Sequence, residues 1–108
     1  MFIEKYLSQD KLKLLYSVYE DWYIEGLDEK QFLKIYKFLE EEGFYFIDDV
    51  ILNYLELFEM DEKYVRDAFI EVKNVLGDNY TKELGKDMSV ISKIMDLAGA
   101  YMINDNFG

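Results

Sequence analysis

The sequence contains no histidine, no cysteine and no proline. Without histidine it lacks the commonest general base near neutral pH, the usual activator of a serine nucleophile and the commonest transition-metal ligand. Without cysteine it can form neither a disulfide nor a thiolate metal site, and the redox compartment stays open. Hydroxyls occur at Ser8, Ser17, Thr81, Ser89 and Ser92, but none lies in a G-x-S-x-G setting, and no glycine-rich phosphate loop is present. Carboxylates are the remaining candidates for chemistry. Asp48 and Asp49 are adjacent, and adjacent residues on a helix point about 100° apart, so they do not converge on one ligand. They read instead as a helix N-cap (Asp48) and a first-turn acid (Asp49). The segments GDNY and NDNFG lack the frame of a calcium-binding loop. The expectation is a protein that is not an enzyme and that uses no metal or cofactor.

Long hydrophobic runs are missing too. The longest uncharged stretch, Leu97 to Asn104, has eight residues, far short of a membrane span. Glu4 and Lys5 interrupt the first apolar residues, which argues against a signal peptide, so a cytoplasmic location is expected. Basic residues are scarce: 12 against 23 acidic ones, for a net charge of −11. That balance disfavours direct binding to nucleic acid or to an anionic membrane. It suits a protein partner with a basic surface, or serves solubility alone.

What is abundant is apolar and aromatic surface. Apolar residues make up 51% of the 108, with 10 Tyr, 8 Phe and 1 Trp, enough to build a core without staples. The apolar periodicity is helical throughout. Phe2, Ile3, Tyr6 and Leu7 share one face, with Ser8 as a fresh start. Leu14, Leu15, Val18, Tyr19 and Trp22 continue a stripe that Gly26 ends. Asp28 caps a helix with Phe32, Ile35, Tyr36 and Leu39 inward, closed by Gly43. The strongest stripe is Ile47, Val50, Ile51, Tyr54, Leu55 and Phe58. Asp61 caps the next helix, which turns Val65, Ala68, Phe69, Val72, Val75 and Leu76 inward before Gly77. Asn79 opens a short helix stopped by Gly85. Asp87 or Ser89 opens the last, with Ile91, Ile94, Met95 and Ala98 inward and Met88, Met95 and Met102 as one packed stripe. The expected fold is all-α: one domain, a compact bundle of five or six short-to-medium helices, with residues 103–108 as a frayed tail.

A weak internal similarity runs through the middle. LDEKQF at 27 and MDEKYV at 60 begin matching segments, and at an offset of 34 Gly43 falls on Gly77, Phe46 on Tyr80, Val50 on Leu84 and Leu57 on Ile91. Two related helix-turn-helix units would give this pattern, and so would the ordinary recurrence of capping Asp and closing Gly.

The charge is unevenly placed. Between Lys37 and Lys63 there is no base and there are nine acids: Glu40, Glu41, Glu42, Asp48, Asp49, Glu56, Glu59, Asp61 and Glu62. Helix starts explain Asp48, Asp49, Asp61 and Glu62. Three glutamates in the last turn of a helix oppose its dipole, at about 0.3–1 kcal/mol each when exposed. Beside them Phe44, Tyr45 and Phe46 are consecutive, so at least one faces outward. The candidate partner-binding residues are therefore Glu40, Glu41, Glu42, Phe44, Tyr45, Asp48, Asp49, Glu56 and Glu59.

Three readings follow. The first is a small acidic interaction module of the inhibitor, immunity, antirepressor or adaptor type that binds a basic protein surface, with nucleic-acid mimicry as one variant. The second is a homo-oligomeric structural subunit, such as a homodimer, whose surplus aromatics line a symmetric interface. The third is a helical DNA-binding regulator. It is the weakest, because its recognition helix would carry Lys63, Arg66 and Lys73 among Glu62, Asp67 and Glu71.

Overall fold

Four polar side chains start helices here, each by accepting a backbone N–H that has no partner within the helix. Ser8 accepts from Lys11 (3.3 Å), Asp28 from Lys30 (3.1 Å), Asp61 from Lys63 (2.9 Å) and Asp87 from Ser89 (3.1 Å). The computed structural model describes residues 1–107, and among them every regular element is helical. A 3-10 turn, Phe2–Lys5, precedes α1 (Gln9–Val18), α2 (Asp21–Glu25), α3 (Glu29–Glu42) and α4 (Ile47–Asn53). A second 3-10 turn, Leu55–Glu59, leads into α5 (Glu62–Leu76), α6 (Tyr80–Lys86) and α7 (Ser89–Phe107). The all-α class stands, with seven α-helices rather than five or six.

The extra helix comes from a break that periodicity does not announce. Tyr19 and Glu20 are extended (ψ 148° and 144°), so the stripe expected from Leu14 to Trp22 is not one face. Leu15 is buried, while Leu14, Val18 and Trp22 point outward, Trp22 at 72% exposure. The break turns Ile24 and Tyr23 inward instead. A second break divides the stripe from Ile47 to Phe58 at Tyr54. The tighter 3-10 turn lets Leu55, Leu57 and Phe58 all reach the core, which a straight α-helix would not allow. The two breaks meet: the Tyr19 hydroxyl accepts from the Leu55 N–H (3.1 Å).

Gly43 closes α3 with φ 89°, and Phe44 N–H reaches back to the Leu39 carbonyl (3.1 Å) while Gly43 N–H bonds that of Glu40 (3.0 Å). This Schellman closure directs Phe44 onto the core beside Leu39. Gly77 closes α5 with φ 87°. Gly85 is inside α6, not beyond its end, because Tyr45 and Phe46 pack against its bare Cα.

One continuous core runs from Ile3 to Ala98, with Phe32, Phe58, Phe69 and Tyr80 among its largest members. Phe32 stacks on Phe58 at 4.7 Å, and Phe44 meets Phe69 and Tyr80 edge-on at 5.5 and 5.6 Å. The α5 helix lies along α7, α3 covers the second 3-10 turn, and α1 lies on α4. The radius of gyration, 14.0 Å, is near the ~13 Å of a compact chain of this length.

The periphery departs from expectation at two points. Val75 and Leu76 end α5 beyond its packed length, and Val75 is 79% exposed. Met102 is exposed and does not continue the packed stripe of Met88 and Met95. Residues 103–107, expected as part of a frayed tail, are assigned to α7, and Lys63 pairs with Asp105 there (3.4 Å); residue 108 lies outside the described residues. The α3–α4 and α5–α6 pairs each place a capping aspartate, a long helix, a positive-φ glycine and a seven-residue helix in the same order. The chain leaves the two glycines differently, with ψ 19° at Gly43 and −171° at Gly77.

Candidate functional site

The nine acids between Lys37 and Lys63 do not share one set of partners. They divide into three groups, each set against a different neighbour.

The first group faces the amino-terminal helices. Tyr19 donates its hydroxyl to Glu56 (3.2 Å) and Tyr23 donates to Glu59. Burial pushes both phenols above their ordinary range, and the adjoining carboxylates push in the same direction. Glu56 and Glu59 thus bind α1 and α2 to the Leu55–Glu59 turn.

The second group surrounds Arg66 and Tyr80. The Tyr80 ring is 2% exposed and its hydroxyl donates to Glu42. Burial and that carboxylate push the phenol well above its ordinary range. Glu62 holds Arg66 at 2.6 Å, the guanidinium lies 4.8 Å from the Phe38 ring centroid, and Glu41 and Glu42 add to its field. One of the three glutamates that oppose the α3 dipole, Glu42, therefore satisfies a buried hydroxyl. Asp61 is accounted for as the α5 cap.

The third group lies at the α3–α4 junction. Lys11 of α1 forms a close ion pair with Asp48 and a longer one with Asp49 (3.5 Å). The lysine hydrogen bond holds the Asp48 carboxyl below its usual range. Asp48 is not the N-cap: that position is Phe46, and Asp48 and Asp49 both lie in the first turn of α4, where Asp48 accepts from the Asp49 N–H (2.9 Å). Glu40 stands alongside with no ion pair or side-chain hydrogen bond among the described residues, and so does Glu41 on the turn's other side.

Of the three consecutive aromatics, Tyr45 is the outward one, at 71% exposure, while Phe46 is buried. Phe44 is 5% exposed and belongs to the core, so its expected place on a binding surface is corrected: the Schellman closure turns it inward. Tyr45 overhangs a shallow depression of about 440 Å³. Tyr6, Tyr36, Tyr45, Glu40 and Asp48 line it together with the buried Phe44 and Ile47. Tyr6 and Tyr36 meet at 4.8 Å with their rings tilted by 55°. Burial raises the Tyr36 phenol above its ordinary range, and Glu40, Tyr6 and Asp48 add to the shift.

Sequence reasoning missed Tyr6, Tyr36 and Lys11. Tyr36 had a signal: it sits four residues before Glu40, on the same helix face. Tyr6 and Lys11 had none, since only the tertiary fold brings them near α4. The three bases of α5 are all engaged: Lys63 with Asp105, Arg66 with Glu62, and Lys73 over the Tyr80 ring at 5.9 Å. Among the described residues no three carboxylates converge as a metal site would need, and no helix is long and apolar enough to cross a membrane. No protein-family model matches the chain, and no curated protein or solved structure matches it either.

Proposed function

We propose that the protein is a small, non-catalytic acidic interaction module that binds a basic surface on a partner protein through the α3–α4 junction. The observation that carries this reading is Tyr45, a large ring 71% exposed that shares a depression with Glu40, a carboxylate without a partner among the described residues. An exposed aromatic gives an anchor, and unpaired carboxylates steer a cationic partner toward it. Glu42, Asp48, Asp49, Glu56 and Glu59 have internal partners, which narrows the surface to Glu40, Tyr45 and the outer side of Asp48 and Asp49. Division into three groups suits a local interface better than the extended row of charges that nucleic-acid mimicry needs. The test is capture from host-cell lysate on wild-type protein and on a Glu40→Lys, Tyr45→Ala variant, compared by mass spectrometry. A protein held by the wild type alone and released by moderate salt is expected. Identical or empty eluates from two folded baits overturn the reading.

A second reading, self-association, rests on a different place. Val75 and Leu76 form, with Val72 and Val90, an apolar hollow of about 270 Å³ at the open end of the α5–α7 pair. Light scattering across a dilution series decides it. A dimer dissociated by Val75→Asp supports it, and a monomer at every concentration removes it.

A further inference from the structure

The depression at the α3–α4 junction has a specific chemistry. Three phenol side chains from separate stretches of the chain line it, Tyr6, Tyr36 and Tyr45, together with two carboxylates, Glu40 and Asp48. Tyrosine faces attract cations electrostatically, and a carboxylate at the edge adds both charge and hydrogen-bond acceptors. Tyr6 and Tyr36 are in contact with each other, ring centroids 4.8 Å apart, and both border the depression. Lys11 already neutralises Asp48 in part, whereas Glu40 has no paired cation among the described residues.

The same protein contains an occupied version of this arrangement. On the other side of α3, the Arg66 guanidinium lies over the Phe38 ring, pairs with Glu62 and sits in the field of Glu41 and Glu42. There an aromatic face and several carboxylates hold a guanidinium supplied by α5. At the α3–α4 junction the aromatic faces and the carboxylate recur without one.

We infer that the Tyr6–Tyr36–Tyr45 depression receives an arginine side chain of the partner protein, its guanidinium lying against the tyrosine rings and hydrogen-bonded to Glu40. This rests on the basic-partner reading above and deepens it. Arginine is favoured over lysine because its planar, weakly hydrated cation stacks on rings and presents a fork of donors to a carboxylate. Tyr45 is the most exposed of the three rings, and its hydroxyl end lies over the bare Cα of Gly85.

The experiment is an NMR titration of the full chain at low salt with N-acetyl-arginine amide. N-acetyl-lysine amide, its trimethylated form and the uncharged citrulline analogue serve as parallel probes, and an arginine-rich peptide as a fifth. Saturable shifts confined to Tyr6, Tyr36, Glu40, Tyr45 and their neighbours are expected with the arginine probe, in the millimolar range. The lysine probes should bind more weakly and citrulline not at all. Glu40→Gln should weaken arginine binding up to about fivefold, as loss of one exposed ion pair would. Tyr45→Ser, at an exposed site that cannot unfold the core, should weaken it by a similar factor. Equal shifts from arginine and citrulline, or shifts outside the depression, overturn the inference. If the peptide binds through Glu40 and Tyr45 while the arginine probe does not, the pocket is wrong and the basic-partner reading survives. If neither binds, both fall.

Discussion

The Tyr80 hydroxyl, fixed in the core, donates to the Glu42 carboxylate at the end of α3, 38 residues earlier in the chain. Neighbouring glutamates in one helical turn therefore have opposite worth. Glu42→Ala strands a buried hydroxyl and should cost about 1–3 kcal/mol. Glu41→Ala removes an exposed anion from the negative end of the dipole and should be neutral or stabilising by up to about 1 kcal/mol. Urea denaturation of the two variants checks this. Equal effects would mean that the Tyr80 bond contributes nothing.

The Lys11–Asp48 pair predicts an acid-side signature. Its hydrogen bond lowers the Asp48 carboxyl below its ordinary 3.8, so the folded state binds that proton less readily than the unfolded state. The stabilisation is complete above the unfolded value and is lost as pH falls through the folded one. The difference in Tm between wild type and Asp48→Asn should accordingly be constant from about pH 5 to 8 and close below about pH 4. A difference that persists in strong acid would assign the effect to packing instead.

On the alkaline side the tyrosines set the limit. Tyr19, Tyr23 and Tyr80 have phenols raised above 10.0, mainly by burial. Because the folded-state values are the higher ones, their stabilisation is present below the unfolded value and drains away as pH rises above it. With no histidine or cysteine, stability should be nearly flat between the carboxylate and tyrosine ranges. Phenolate absorbance should then show an early fraction of the ten tyrosines, and a late fraction that ionises only as the helical circular dichroism collapses. A single smooth titration with the helices intact would refute this.

Gly85→Ala tests the seat of Tyr45. A methyl there overlaps the Tyr45 hydroxyl and crowds Phe46 Cε1 at 3.3 Å. Alanine inside α6 should gain up to about 1 kcal/mol of helix propensity, and displacing Tyr45 should consume most of it. In a Tyr45→Ala background the gain should reappear. Stability of the four proteins in this cycle, with the Tyr45 ring resonances as the local probe, provides the check; strict additivity would show that Tyr45 does not rest on Gly85.

Much of the helical order is legible in the sequence because caps are local. Ser8, Asp28, Asp61 and Asp87 begin helices where their spacing places them, and Gly43 and Gly77 end two. The break at Tyr19–Glu20 has no glycine or proline to announce it; its hydroxyl partner is the Leu55 N–H, far along the chain. The candidate site divides in the same way. Tyr45 is legible as the outward member of three consecutive aromatics, and Glu40 as an acid at the wrong end of a helix. Which of the nine acids stay free is not legible, since their partners Lys11, Tyr19, Tyr23 and Tyr80 lie 36 to 38 residues away.

That spacing also orders assembly in time. An acidic stretch without bases repels itself until remote donors arrive, and each such contact must first close a loop of the chain. Lys11, Tyr19 and Tyr23 precede the stretch in the sequence, whereas Tyr80 follows it. On a ribosome the amino-terminal donors are already outside when the acids emerge, so α1 and α2 can close on α4 and the Leu55–Glu59 turn during synthesis. The α3 end, and with it the Glu42 anchor, stays unfinished until α6 is made.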